Sequence, residues 1–526
     1  MATMAVGQQL RVNETRFIVG DSTCSAQIIC MLPTPDPGFF TVGSTSCFNM
    51  GDIHSTVNPL AQGLNVLVMK MDSNLNISWT KVYGGSKTDN PVSVCATSDG
   101  GYAIVAGSTS SDGDVPGLKG SSDIWLIKTD RNGNKLWSAV FGGSGAGGPV
   151  SVTETPDHNL LVLGVTNAAG NDVPFTYVNT PFSNDWILIK TDSAGNKKWV
   201  KTMGGTGNEN TRGAVLATPT GYYVASSTDS KDYDCTDSNW HIGVNTNADF
   251  ILIKTDTAGN VIWDSTYGGS NDDVVNSAIF DVRDSSIVIA GSTKSPDYMV
   301  HNFQGTIVWD DFWVIKTDKN GKLIWSTTLI DTTASGSYNE AKAVIPGPNN
   351  TYAVYGDVYV GRIGQQDGRL FVLDSGGNVL ANNYVGGTGY EWDNALAACK
   401  DGYVVGGNTT STTFAEGTNI GVPTATSSGF VSFVDYWPEL TEDIHLTSPQ
   451  LVCYPNPAKN TIRVQLTTGE LEGVIRVIYN NGKQIYEQHV ASANLDIATK
   501  NWSRGVYIIQ FVNDSGQVIS AKLSLE

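Results

Sequence analysis

Long apolar runs are absent from this chain. No stretch approaches the roughly 18 consecutive apolar residues of a membrane-spanning helix, so no such span is expected. Charge is scarce and one-sided. Only 16% of the 526 residues are charged, and 32 Lys and Arg against 51 Asp and Glu leave a formal net charge of −19. That shortage of cations excludes the basic face needed for nucleic-acid phosphates and adhesion to an anionic membrane. Cysteine is present as seven residues, an odd number, with no C-x-x-C. Zinc-ribbon and thioredoxin-like chemistry are thereby excluded. Cys30, Cys95 and Cys399 lie in apolar runs and read as small hydrophobes. Cys24 and Cys30 are the closest pair in sequence and the one for which a bridge is weighed. The six histidines include no H-x-x-H, and three of them, His54, His241 and His301, fall in polar loops. A zinc site is not expected from them. Helix caps and a 3.6-residue apolar period are missing throughout.

What is present is glycine, 57 residues of it, with abundant Thr, Ser, Asn, Val and Tyr. This is the composition of a turn-rich, all-β chain. One segment recurs. Its fullest copy, Pro91 to Phe141, reads P-V-S-V-C-A-T-S-D-G-G-Y-A-I-V-A-G-S-T, a polar loop, then D-I-W-L-I-K-T-D-R-N-G-N-K-L-W-S-A-V-F. The closing tryptophan returns at Trp79, Trp137, Trp199, Trp263 and Trp325, at intervals of 58, 62, 64 and 62 residues. A sixth copy passes through Leu370–Asp374 and Gly377–Asn378 to Gly386–Gly387. The G-S-T element or its variants at Gly43, Gly107, Gly164, Ser226, Gly291, Gly356 and Gly407 count seven units. Each unit reads as four strands with two tight turns, D-G-G and D-x-x-G-N, and one long polar loop between the second and third strands. Tandem four-stranded units of this length predict a seven-bladed β-propeller. Small residues of each first strand would line the axis, and the repeated Trp and aromatic residues would pack between blades. The seventh unit lacks a fourth strand, and Leu10–Gly20 reads as that strand displaced to the N-terminus, so residues 1–437 are expected to close on themselves. Residues 438–450 read as an acidic linker, and 451–526, with alternating strands and an Asn481-Gly482 turn, as a small Ig-like β-sandwich.

Two resemblances follow from these residues. The K-T-D-x-x-G-N-x-x-W repeat is similar to the propeller repeats of secreted bacterial proteins, a group without a single activity. Its turn also resembles the Trp-docking motif of quinoprotein propellers and, less closely, the Asp-box of sialidases. In the C-terminal segment, Tyr454-Pro-Asn-Pro457, N-x-x-G-K-x-I, Leu495-Asp-Ile497, Arg504-Gly-Val-Tyr-Ile-Ile-Gln-Phe511 and a terminal Lys522-Leu523 resemble the type A C-terminal sorting domain of the type IX secretion system. That resemblance implies a Bacteroidota-type bacterium, the type IX machinery as partner, and a protein secreted or anchored at the outer cell surface. Met1–Leu10 has no apolar stretch of signal-peptide type, so the export reading expects a leader already removed.

Function is expected where the scaffold stops repeating. The long loops, including 45–63, 228–248, 293–310 and 409–428, share one face with the inter-sheet loops. The loop of the fourth unit, 228–248, is the richest, with Tyr233, Trp240 and His241, and Tyr390 and Trp392 extend the surface from the loop entering the seventh unit. These five are the candidate residues for an extracellular glycan or protein ligand. A carboxylate stands five residues after the first Gly of G-G-[ST] at Asp89, Glu209 and Glu391. Asp273 fits the same place, and Glu340 fits a degenerate copy. As a ring at the channel mouth they have the oxygen chemistry for Ca²⁺, whereas their repetition favours loop-capping hydrogen bonds, so no cofactor is expected. Asp112-Gly-Asp114 is a second, incomplete Ca²⁺ motif. No Ser/His/Asp set, phosphate loop or acid pair stands out. The expected function is a secreted or cell-surface binding and adhesion module. The alternatives are a polysaccharide-active lyase or hydrolase of propeller fold and a structural partner of surface or gliding machinery.

Overall fold

The computed structural model describes residues 9–18, 24–47, 51–54, 63–177, 183–236, 247–301, 303, 310–329, 339–360, 365–400, 402–414, 418–420, 428–437, 451–454, 460–466, 471–479, 483–492, 494–513 and 518–525. The chain divides into two compact units, Met1–Glu439 and Leu440–Glu526, both all-β.

In the first unit, six four-stranded antiparallel meanders follow one another. Sheet I comprises Ala26–Pro33, Gly38–Thr45, Asn65–Asp72 and Ile77–Tyr83, and sheet II comprises Asp89–Ala96, Tyr102–Ser108, Asp123–Thr129 and Lys135–Phe141. Sheets III to VI repeat the pattern from Gly147–Glu154, Ala214–Thr218, Asp273–Asp281 and Glu340–Pro346. Sheet VII is built from Glu391–Cys399, Gly402–Thr409 and Ser428–Trp437, and its next strand comes from the other end of the unit, Gln9–Ile18. That strand runs antiparallel to Ser428–Trp437, with Val12 opposite Val434 and Phe17 opposite Phe430. A feature not foreseen from the sequence is a short fifth strand, Thr418–Ile420, parallel to the N-terminal strand on its outer edge. The first strand of each sheet touches the first strand of the next, and Glu391–Cys399 touches Ala26–Pro33, so the contacts return to their start.

The second and third strands of each sheet are apolar on both faces because both faces are covered. Tyr102–Ser108 is almost wholly buried and Asp123–Thr129 wholly so, and Phe40, Val66 and Val68 of sheet I share one core cluster with Tyr102, Ile104 and Trp125 of sheet II. Trp125, Trp186 and Trp313 are fully buried, each removing about 150–250 Å² of aromatic surface from water.

The D-x-x-G-N-x-x-W motif has two physical causes. Within the turn, Asp130 Oδ1 accepts from the backbone N–H groups of Asn132 and Asn134, and Oδ2 from the Asn134 amide at 2.7 Å. The same Asx arrangement recurs at Asp192, Asp256 and Asp374. Between sheets, the tryptophan of one repeat lies against the turn glycine of the next. A Cβ on Gly195 (φ +85°) would come within 2.6 Å of the Trp137 ring, and Gly133, Gly259, Gly321 and Gly377 meet Trp79, Trp199, Trp263 and Trp325 in the same way. The glycine is required by a positive φ and by the ring above it.

The second unit has a three-stranded sheet (Leu451–Tyr454, Thr461–Leu466, Asn494–Ala498) and a four-stranded sheet in the order Gln484–Ser492, Leu471–Tyr479, Gly505–Asn513, Val518–Leu525. Ile462, Val464, Ile475, Val477, Tyr507, Ile509 and Phe511 form one core between them.

Replacing Gly195 with Ala adds a Cβ both to a left-handed backbone and into the Trp137 ring. The loss expected is about 2–4 kcal/mol, read as a lowered urea midpoint of the full chain. Gly100→Ala, at a positive-φ turn glycine (φ +85°) with open space around it, is expected to cost about half as much or less.

Candidate ligand-binding face

Strand direction puts the inter-sheet loops and the long second-to-third-strand loops at the same end of every sheet. The first third of each long loop belongs to the scaffold. Asp112 Oδ1 accepts from Ser86 N–H at 2.7 Å, Asp232 Oδ1 from Thr206 N–H at 2.8 Å and Asp297 Oδ1 from Ser270 N–H at 2.9 Å. Two residues on, Asp114 and Asp234 accept from Gly84 and Gly204 N–H. Asp112 and Asp114, weighed above as cation ligands, are therefore engaged with backbone and with Lys135.

The carboxylate series is buried and not displayed at a channel mouth. Asp89, Glu209, Asp273 and Glu391 are fully buried in the inter-sheet loops and hold each loop to the following second strand. Asp89 accepts from Gly85 N–H at 2.7 Å, Ser108 Oγ at 2.5 Å and Ser110 Oγ at 2.8 Å. Glu209 does so from Gly205, Thr228 and Ser230, Asp273 from Gly269 and Ser295, and Glu391 from Gly387, Thr409 and Ser411. Glu340 is one residue out of this series. Asp89 pairs with Ser108, whereas Glu340 pairs with Asp357, the counterpart of Gly107, so the capping position in sheet VI is Asn339.

Each capping group faces the residue that opens the third strand of the preceding sheet: Asn65 with Asp89, Asp185 with Glu209, Asp249 with Asp273, Asp311 with Asn339 and Asp367 with Glu391. Three of these pairs are acid with acid, and two are acid with amide. In the Asp311–Asn339 pair the amide donates to the carboxylate at 3.4 Å, and in the acid pairs burial beside a second carboxylate favours the protonated form. Burial, with the Asp185 charge adding to it, pushes Glu209 up to about 8. Burial first and the neighbouring carboxylate second raise Asp249, and the same two causes raise Asp367. The first glycine of G-G-[ST] is explained by these pairs: a Cβ on Gly268 would overlap Asp249, and one on Gly386 would overlap Asp367. At the junction of sheets VII and I the arrangement changes. Ala26 pairs with Thr45 in the register that Asp89 keeps with Ser108. Cys47 there donates its N–H to Thr45 Oγ1 as Ser110 does to Ser108 Oγ, and a Cys24–Cys47 disulfide joins the two segments. The bridge is thus to Cys47 and not to Cys30, whose half-buried thiol donates to the Val92 carbonyl at 3.2 Å.

An axial cavity of 670 Å³ is lined by the first strands of all seven sheets. Its wall is apolar at Ile29, Val92 and Val150 of sheets I to III and polar at Asn276, Lys342 and Asn394 of sheets V to VII. In each of these six strands the register shifts at that residue, a bulge that re-aims one side chain. Arg212 lines the wall from sheet IV. Beside the cavity, buried Glu340 bonds to Arg212 and Lys342 and accepts from the Asn276 amide at 2.9 Å. Burial works against its charge, but Lys342 and Arg212 outweigh burial and hold its carboxyl below the usual range.

The aromatic candidates fall into two groups. Tyr390 and Trp392 are stacked on each other, ring centroids 5.9 Å apart and planes 18° apart, and both are exposed. Tyr233 stacks on Tyr177 of the preceding long loop at 4.5 Å, and Phe175 meets Tyr177 edge-on at 5.1 Å. Phe175 and Tyr177 were not singled out from the sequence, because the contact of Tyr177 with Tyr233 joins the loops of two sheets. Trp240 and His241 lie outside the described residues. Among the described residues, no group of three or more His, Cys, Asp or Glu is placed to hold a metal ion.

Residues 452–526 match the family described as the secretion system C-terminal sorting domain. The protein is accordingly secreted by the type IX route and located at the cell surface or outside the cell. No helix among the described residues is long and apolar enough to cross a membrane. No curated protein matches the chain. Among solved structures it is similar to a protein of unknown function from Dyadobacter fermentans (10% identity, 81% of this chain and 99% of that one, TM-score 0.40). It is also similar to the β-propeller domain of the Trilobed protease from Pyrococcus furiosus (9% identity, 80% and 98%, TM-score 0.39). A third is an ulvan lyase representing a new family of polysaccharide lyases (11% identity, 74% and 93%, TM-score 0.40).

The acid pairs set a pH dependence. Folded-state carboxyl pKa values above the unfolded value of about 4 mean that the folded chain binds more protons between the two. Their contribution is therefore full below about pH 4 and is lost as pH rises toward about 8. The melting temperature of the full chain is expected to fall steadily from pH 5 to pH 9. Asp273→Asn, which installs the amide found at Asn339, is expected to flatten that slope.

Proposed function

We propose that residues 1–437 form a seven-bladed β-propeller closed by the N-terminal strand and joined by a 438–450 linker to an Ig-like sorting domain, 451–526. We further propose that the propeller is a surface-displayed or released binding and adhesion module for an extracellular glycan or protein. The observation that carries this reading is two aromatic groups, the exposed Tyr390–Trp392 pair and the exposed Phe175 and Tyr233 set against half-buried Tyr177, on the one face where loop sequences diverge. Exposed stacked rings are what recognition surfaces keep and scaffolds bury. The capping carboxylates are already used by their own loops, and Glu340 is held ionised between two cations. Such a group anchors and does not exchange protons near neutral pH. Both facts favour binding over general acid–base catalysis.

The full chain, screened on a glycan array and by pull-down of extracellular material, is expected to retain a ligand. Trp392→Ala and Tyr390→Ala are expected to weaken that retention several-fold, with melting temperature little changed. A large loss of melting temperature with retention intact would assign the two rings to the loop interior.

A further inference from the structure

Eight non-glycine residues among those described adopt positive φ. Two of them, Tyr233 (φ +55°) and Tyr298 (φ +56°), stand at one equivalent position in the long loops of sheets IV and V. The equivalence follows from strand register. Thr228 and Thr293 take the place of Ser108, and five residues later come Tyr233, Tyr298 and Gly113. The same place in sheet III is Asn171 (φ +54°). Gly and Asn are the residues for which this conformation is cheap, and a bulky aromatic is among the worst. Burial offsets such a cost elsewhere in the molecule: Leu75 has φ +58° and is 1% exposed. Tyr233 and Tyr298 are 60% and 57% exposed. Two neighbouring repeats thus hold a tyrosine in a disfavoured conformation with more than half of the residue exposed, where the two preceding repeats use the relaxed residue. Strain kept without burial points to a ligand.

Building on the binding role proposed above, we propose that Tyr233 and Tyr298 are two stacking platforms, one repeat apart, for an extended neutral polysaccharide. A sugar ring presents an apolar C–H face to an aromatic plane and needs no charge. Platforms on successive repeats suit a chain and not a single sugar, since two weak contacts joined by one ligand act together. Tyr177, stacked on Tyr233 with Phe175 against it, fixes the first ring and widens its platform. The net charge of −19 and the carboxylates of Asp229, Asp232 and Asp297 in these same loops disfavour a uronate or sulfated chain.

The test uses the substitution that sister repeats already carry. The full chain is titrated calorimetrically with cellohexaose, laminarihexaose and chitohexaose, with the disaccharide of each, and with hexagalacturonate as the anionic control. At least one neutral hexasaccharide is expected to bind at least tenfold more tightly than its disaccharide, with no binding of hexagalacturonate. Tyr298→Asn is expected to weaken that hexasaccharide at least fivefold while leaving the melting temperature unchanged or higher. Tyr233→Gly is expected to weaken it similarly. Tighter binding of hexagalacturonate, or Tyr298→Asn lowering the melting temperature with affinity intact, overturns the proposal. So does a failure of all neutral hexasaccharides to bind. If in that last case Trp392→Ala still abolishes retention of a protein or anionic ligand, the polysaccharide class falls and the binding face stands.

Discussion

No repeat of this protein completes its own core. The tryptophan that ends one repeat rests on the turn glycine of the next, and the buried strands of each sheet have neighbours on both faces. That single constraint, a side chain whose seat belongs to the following repeat, recurs at five successive junctions, from Trp79 on Gly133 to Trp325 on Gly377. It also explains why the motif carries a glycine and a tryptophan together: each is meaningful only through its neighbour's copy. The loop face is free to vary because nothing in this arrangement depends on it beyond the first few residues of each long loop.

The junction has a second fastening, and its chemistry is not uniform. Acid with acid, acid with amide, and at one junction a disulfide occupy related positions between the inter-sheet loop and the following strand. Buried carboxyl pairs are tolerated there because hydroxyls and backbone N–H groups bond to the capping carboxylate, and burial beside a second carboxylate favours the neutral form over two buried charges. The disulfide stands beside the junction where the unit's two ends meet but spans only 23 residues, and the end-to-end closure itself is carried by the backbone ladder between Gln9–Ile18 and Ser428–Trp437.

The strands and the C-terminal motif were legible in the sequence because each is a demand of packing or turn chemistry. What misled was register. The G-S-T elements at Gly43 and Gly107 look equivalent, but strand pairing makes Ala106, not Gly107, the counterpart of Gly43. Glu340 was grouped with Asp89 by the same one-residue slip, and in a strand one residue changes the face. The site was legible in part. Tyr390 and Trp392 are exposed as their loop position suggested. Tyr298 was passed over because its meaning lies in a backbone angle, and Phe175 and Tyr177 because theirs lies in a contact across sheets. Trp240 and His241 fall outside the described residues.

The placement of the N-terminal strand has a mechanical side. Any pull applied through the C-terminal unit enters the first unit at Trp437, the end of Ser428–Trp437. That strand is hydrogen-bonded along its length to Gly402–Thr409 on one side and to Gln9–Ile18 on the other. Its ladder bonds run across the strand, so tension along it loads both ladders in shear and cannot open them one bond at a time. A unit tethered by this strand resists flow and tugging far better than one tethered by an edge strand, which would peel.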